Sequence, residues 1–171
     1  MKQPTLTVTK DFTKDFNEVI ARFKKDAVLV GIPENDQARE GDEEINNATI
    51  LAINHFGSEA AHIPPRPVLT IGIRNAQPAI AEQFKQLAQQ ALKKGASTIT
   101  QYYERVGLIA SNSVKRVIND QEGIAPPSPA TLRARKYLTK SGFKGTKALV
   151  VTGQLRNAIT YVINSVWGLR G

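Results

Sequence analysis

Cysteine is absent from this chain. That excludes a disulfide framework, a thiolate nucleophile, an iron–sulfur cluster and every cysteine-based zinc site. Histidine is nearly absent as well, with only His55 and His62, too little for a His-rich catalytic metal centre. Aromatics make up 6% and apolar residues 41% of the 171 residues, a sparse supply that predicts some of the chain outside the packed core. No run reaches the roughly 18 apolar residues of a membrane-spanning helix. The opening Met1 to Thr5 leads into alternating polar residues and not into an apolar signal segment. These absences predict a soluble, cytosolically made chain without metal or cofactor. Its length predicts one domain, 1–171, with a core that needs no staples.

What the chain does have is charge, unevenly placed. The formal net charge is +8. Residues 1–85 carry 10 basic and 12 acidic side chains, whereas residues 86–171 carry 13 basic and 3 acidic ones. Arg133, Arg135, Lys136, Lys140, Lys144 and Lys147 follow one another with no acid between them. Their counterpart is the acidic stretch containing Glu34, Asp36, Glu40, Asp42, Glu43 and Glu44, with Arg39 as its one base. Such asymmetry suits contact with a polyanion, or head-to-tail contact between copies of the chain.

Periodicity supplies the elements. Phe12, Phe16, Val19, Ile20 and Phe23 share one helical face, with Asp11 or Thr13 as cap and Lys24-Lys25 at the C-terminal end. Residues 27–32 read as a short buried strand stopped by Pro33. Residues 33–46 lack periodicity and read as an acidic mobile loop. A second helix is expected over Asn46 to Phe56, with Ile45, Ala48, Leu51, Ala52 and His55 on one side and Gly57 as its C-terminal glycine. Ile63 to Pro67 reads as a stiff extended connector. Val68 to Ile73 fits either a strand or a lead into the next helix.

That next helix is expected over Ala79 to Lys94, with Pro78 near its first turn. Another is expected over Ser97 to Asn119, with Tyr102, Val106, Ile109, Ser113 and Val117 near one stripe and Gly107 as a weak point. Residues 123–147 read as a Pro-rich linker plus a basic segment. Within it, Ser128 and Pro129 look like the cap and first residue of a short helix ending near Tyr137. Ala158 to Val166 has strand character. Together these predict an α+β fold: a small mixed or antiparallel sheet packed against several helices, with long mobile loops.

Enzyme signatures fail when tested. Gly142 to Lys147 lacks the four-residue gap that lets a phosphate loop wrap its ligand. Aligning Gly41 as the turn glycine of an EF-hand puts Ala38 at the third ligand and Asn47 where a bidentate Glu is required. Val151-Thr152-Gly153 lacks the Asp of an aspartic protease. His55 and His62 with Glu59 make an incomplete metal set, so His55 reads as a helix-face residue near the core and His62 as a loop residue. Adjacent Glu43 and Glu44 diverge on a helix. No catalytic residue is assigned, and an enzyme is not expected. The basic run has Tyr137 and Phe143 as its only aromatics, which is thin for base stacking, and no recognition module accompanies it. A solvated face, an acidic protein partner and a nucleic acid all fit that run on charge alone.

Three segments carry a resemblance. The first is Ile53-Asn54-His55-Phe56-Gly57, followed by Ile63-Pro64-Pro65-Arg66-Pro67-Val68-Leu69. The second is Pro126-Pro127-Ser128-Pro129-Ala130-Thr131-Leu132. The third runs from Val151-Thr152-Gly153-Gln154-Leu155 to Tyr161. In order and spacing they resemble the neck, or tail-completion (head–tail joining), proteins of tailed bacteriophages. Departures are His55 where an acid is common, Val68 where Phe is common, and Val151 where Asp is common.

The resemblance implies a structural virion protein that completes the head-proximal end of the tail and joins it to the head connector. It implies a homo-oligomer, commonly a hexameric ring in the virion, assembled in the host cytoplasm; an acidic loop and a basic arm that fold on binding suit a monomer before docking. Head-connector and tail-terminator or tail-tube proteins are the implied partners, with packaged DNA a further contact and no membrane. Its motif residues here are Pro64, Pro65, Arg66, Pro67, Thr152, Gly153 and Leu155. A heterologous ring needs two different complementary patches per subunit. Arg133, Arg135, Lys136, Lys140, Lys144 and Lys147 against Asp42, Glu43 and Glu44 are the expected pair. The alternative reading is a basic phage-encoded nucleic-acid-binding protein.

Overall fold

The computed structural model describes residues 13–33, 46–94, 99–138, 146–150 and 153–165. Among them, α1 (Thr13–Lys25) runs directly into β1 (Asp26–Gly31), followed by α2 (Asn47–Phe56), α3 (Val68–Lys94), α4 (Ile99–Asp120), α5 (Pro129–Leu138), α6 (Gln154–Ala158) and β2 (Thr160–Ser165). The fold is α+β. β1 and β2 form a two-stranded antiparallel ribbon, with Val28 opposite Ile163, Leu29 opposite Val162 and Val30 opposite Tyr161. The two strands are the first and last described elements but for α1, so the ribbon ties the ends of the described fold together.

The long pair α3 and α4 is the spine, and both helices serve two apolar clusters. One cluster joins Val19 of α1, Leu87 and Ala91 of α3, and Ile99, Tyr102 and Tyr103 of α4. Phe23, Phe84 and Tyr103 pack there with ring centroids 6.1 to 6.3 Å apart, a spacing that favours tilted and edge-to-face contact. The other cluster joins Leu51 of α2, Val68 of α3, Val114, Val117 and Ile118 of α4, Leu155 of α6, and Ile159. Along β1, Val28 leans on the first cluster and Val30 on the second.

α3 corrects the expected boundary. It begins at Val68 and not at Ala79, and it carries Pro78 in its interior, so residues 68–73 are helix and not strand. The prolines at 64, 65 and 67 end at the first turn, where Pro67 O accepts from Ile71 N at 3.0 Å. Burial of Val68 in the cluster with Val114, Val117 and Ile118 of α4, together with that of Ala76, outweighs the hydrogen bond that Pro78 deletes. Gly72 explains the close approach: a Cβ there would lie 2.6 Å from Val114 Cα. Gly107 is likewise no weak point. Its missing Cβ makes room for the Tyr161 ring, which such a carbon would meet at 2.2 Å.

Other faces also differ from expectation. On α1, Val19 is buried and Phe23 packs, but Phe16 and Ile20 on the same stripe remain 47% and 37% exposed. Phe12 lies outside the described residues. On α2, Asn47 and Leu51 are buried and Ala52 is exposed, a rotation of the expected face set by the contact with α6. Asn46 is the cap, its side chain accepting from Thr49 N at 2.8 Å. On α4, Tyr102, Val106 and Val117 are buried as expected, but Ile109 and Ser113 are only half-buried, and Ala110, Val114 and Ile118 complete the buried face instead. The short helix α6, unforeseen in the sequence, starts after Gly153 at φ +79°, and the final strand is correspondingly shorter than 158–166.

Candidate assembly interface

The segments that carry the resemblance are far apart in sequence and meet in space. Gly57 ends α2 at φ +78°, and a Cβ there would sit 2.8 Å from Ile63 O and 2.9 Å from Pro65 N. Only glycine fits that turn. Ser58 and Ile63 then exchange backbone hydrogen bonds at 2.9 and 2.8 Å, closing the loop that holds exposed His62 at φ +51°. The chain next passes Pro64 and Pro65, both exposed, and turns inward at Arg66.

Arg66 is 7% exposed and works as a three-way clamp. Its Nε donates to Ala125 O at 2.7 Å, Nη2 donates to Pro126 O at 2.9 Å, and Nη1 donates to Asn54 Oδ1 at 3.3 Å. Its backbone N donates to Asn54 O at 2.6 Å, one of the carbonyls that the end of α2 leaves unmatched. The planar fork of arginine spreads its donors over three nitrogens and so reaches acceptors on three different residues, whereas the donors of lysine all sit on one nitrogen. Burial, and after it the neighbouring Arg135 guanidinium, lowers the Arg66 pKa from its ordinary value. Thus Arg66 of the first segment holds Pro126 of the second. Beyond that grip, Ser128 caps α5, its Oγ accepting from Thr131 N at 3.1 Å, as expected.

The third segment joins through the core. Leu155 and Ile159 share the cluster of Val68 and Leu51. Pro67, next to Val68 in sequence, is half-buried, and Gly153 provides the left-handed turn into α6. Thr152 lies outside the described residues.

The charged patches fare differently. Lys140, Lys144, Asp42, Glu43 and Glu44 lie outside the described residues. Arg133 is exposed on α5; Lys136 is in the same helix. Half-buried Arg135 and exposed Lys147 are engaged at the surface of the fold: Arg135 Nη1 donates to Lys147 O at 2.8 Å, and Lys147 Nζ donates to Asn119 O. Arg156 Nη1 adds a bond to Asn119 Oδ1 at 2.9 Å. Two cations therefore meet the C-terminal turn of α4, where the helix dipole and unmatched carbonyls favour positive charge.

Sequence reasoning missed three residues that build this region. Asn54 joins α2 to Arg66. Gln121, at φ +62°, exchanges bonds with the Ala148 backbone, accepting from its N at 2.6 Å and donating to its O at 3.1 Å. A side-chain amide thus does the work of a neighbouring strand for the 146–150 segment. Asn119 collects Lys147 and Arg156. The available signal was a row of amides (Asn119, Gln121) placed where α4 had to stop.

His55 is half-buried with Nε2 3.4 Å from Thr70 Oγ1, a helix-face residue as expected. Among the described residues, no group of three or more His, Cys, Asp or Glu could hold a metal ion, and no helix is long and apolar enough to cross a membrane. Comparison with protein-family models, with curated proteins and with solved structures found no match to this chain.

Proposed function

We propose that this chain is a structural, non-catalytic subunit of the neck of a tailed-bacteriophage virion. In this reading it completes the head-proximal end of the tail and joins it to the head connector as one member of a ring. The supporting observation is the convergence of the three segments that carry the resemblance. Arg66 grips Ala125 and Pro126, and Val68 shares a core with Leu155 and Ile159. Segments of the resemblance that lie more than fifty residues apart thus belong to one packed unit, which supports reading them together. The unit they build is a rigid platform from which the exposed Pro64–Pro65 turn and basic α5 project. Prolines hold such a turn at low entropic cost on docking.

Ring formation would pair this basic platform with the acidic 34–44 stretch of the next copy. The test is Arg133→Glu with Lys140→Glu, leaving Arg135 and Lys147 untouched because their side chains hold the fold. Light scattering on the chain alone and after mixing with purified tails should show assembly for the natural sequence and loss of it for the double variant. Unchanged assembly at low and physiological salt overturns the charge-paired ring. Tight binding to naked DNA with a steep salt dependence, and no binding to tails, would instead favour the nucleic-acid-binding alternative.

A further inference from the structure

The outward side of α4 is a continuous polar face dominated by one sign of charge. By the helical period, Gln101, Leu108, Asn112 and Asn119 line its middle, with Arg105 and Arg116 along one flank and Lys115 along the other. Arg105 and Arg116 are exposed, and Lys115 is half-buried. Lys147 and Arg156 prolong the face past the end of the helix, because both side chains bond Asn119. From Arg105 to Asn119 the row spans about 21 Å. Against these five cations stand Glu104 and Asp120 at the margins and Glu122 beyond the helix end.

Among the described residues, none of the five forms an ion pair with a carboxylate. Three of them have neutral partners instead. Lys147 Nζ donates to Asn119 O, and Arg156 donates to the side-chain oxygens of Asn119 and Asn157 at 2.9 to 3.3 Å. The Arg105 guanidinium lies over the Tyr102 ring, 5.1 Å from its centre. Amides and a ring thus hold these cations in place without neutralising them. Groups already ordered lose little freedom on meeting an anion.

The make-up of the face selects among anions. A protein partner is held by an apolar or aromatic centre within the patch, and Leu108, 51% exposed, is the lone large apolar side chain exposed here. A single strand needs exposed rings on which bases stack, and Tyr102 is buried beneath Arg105. A duplex needs neither. It offers one phosphate charge per ~1.7 Å of its axis, and amides such as Gln101 and Asn112 also donate to phosphate oxygens.

We propose that the outward face of α4, extended by Lys147 and Arg156, binds the phosphate backbone of duplex DNA without reading its sequence. The proposal goes beyond the neck role and does not rest on it. Basic α5 is the surface assigned to protein contact, and this face meets nucleic acid.

Fluorescence anisotropy of the full chain with a labelled 30-base-pair duplex tests it. Five phosphate contacts predict a slope of about −4.5 for log affinity against log salt, a loss of about 500-fold between 50 and 200 mM. Arg105→Gln with Arg116→Gln should bring the slope to about −2.7 and weaken binding at least about tenfold at 100 mM salt, with the urea midpoint unchanged. Lys24→Gln with Lys25→Gln removes the same charge from α1 and should leave both quantities as they were. A natural slope shallower than about −2 overturns the proposal. So does equal weakening by the two double variants, which would show net charge and no face. Poly-glutamate competing as well as DNA at equal charge concentration overturns it too, because an acidic protein would then be the occupant. The neck reading fails separately: the Arg105→Gln, Arg116→Gln chain should still assemble with purified tails, and a natural chain that binds DNA but no tails keeps this face and loses that role.

Discussion

Replacing Arg66 by methionine tests whether the clamp holds the fold or merely decorates it. Methionine keeps the stem and removes three hydrogen bonds. Hydrogen bonds from a charged donor contribute about 1.5–3 kcal/mol each. The two short ones, at 2.7 and 2.9 Å, therefore dominate, and the 3.3 Å bond to Asn54 adds little. Against this stands the relief of a buried charge that has only neutral acceptors, an offset of some kcal/mol. Exposed Pro126 and half-buried Ala125 recover water for their carbonyls, which limits the orphan penalty.

The net expected loss is about 3 kcal/mol, read as a lower urea midpoint at unchanged slope. For a chain of this size it corresponds to roughly 6–12 °C in Tm. Arg66→Lys should retain the charge and one bond, and lose about 2 kcal/mol. Asn54→Ala should cost about 1 kcal/mol and be coupled to Arg66 in a double-mutant cycle. A loss below about 1 kcal/mol for Arg66→Met, or an Arg66→Lys variant as stable as the natural chain, refutes the clamp.

Two further perturbations follow from packing and charge. Gly107→Ala drives a methyl into the Tyr161 ring and should cost about 2–3 kcal/mol, visible in thermal melting; Tyr161→Ala in the same chain should remove most of that extra cost. Tyr103 is buried, and its pKa is raised by desolvation first and Asp26 second, partly countered by Arg22. Its neutral form is thus favoured in the fold, so its contribution is fully present below the ordinary tyrosine value of about 10 and is lost as pH rises above it. Melting between pH 8 and 11 should fall more steeply for the natural chain than for Tyr103→Phe, and equal slopes would contradict this.

The chain announces its elements more clearly than their faces. Caps and glycines are local chemistry, so Gly57 and the Ser128-Pro129 pair sit where they were expected, and Asn46, read as the first helical residue, is the cap one position before it. Buried faces are decided by partners that a linear reading does not supply. Phe16 and Ile20 obey the helical period yet stay exposed, because no described element covers them. Pro78 looked like a helix start since a proline costs a helix interior dearly; burial of Ala76 and of Val68, the latter against α4, reversed that balance. Gly107 and Gly72 looked like gaps in propensity, and are instead the points of closest approach. At the candidate interface, Arg66 and the prolines were visible as a motif, but nothing local tied them to Ala125 and Pro126. The amides Asn54, Asn119 and Gln121 were hidden for the same reason: their value lies in where the chain returns.

Pro78 has a mechanical meaning beyond its position. α3 is 27 residues long, about 40 Å, and at Pro78 it lacks the rung that would engage the carbonyl of Arg74. That gap falls between the aromatic cluster of Phe23, Phe84 and Tyr103 and the cluster around Val68 and Leu155. α4 spans both clusters with no proline. The pair behaves as a stiff rod lashed to a jointed one. Bending strain applied at the α1 end would therefore be expected to concentrate at Pro78 and to spare the platform held by Arg66.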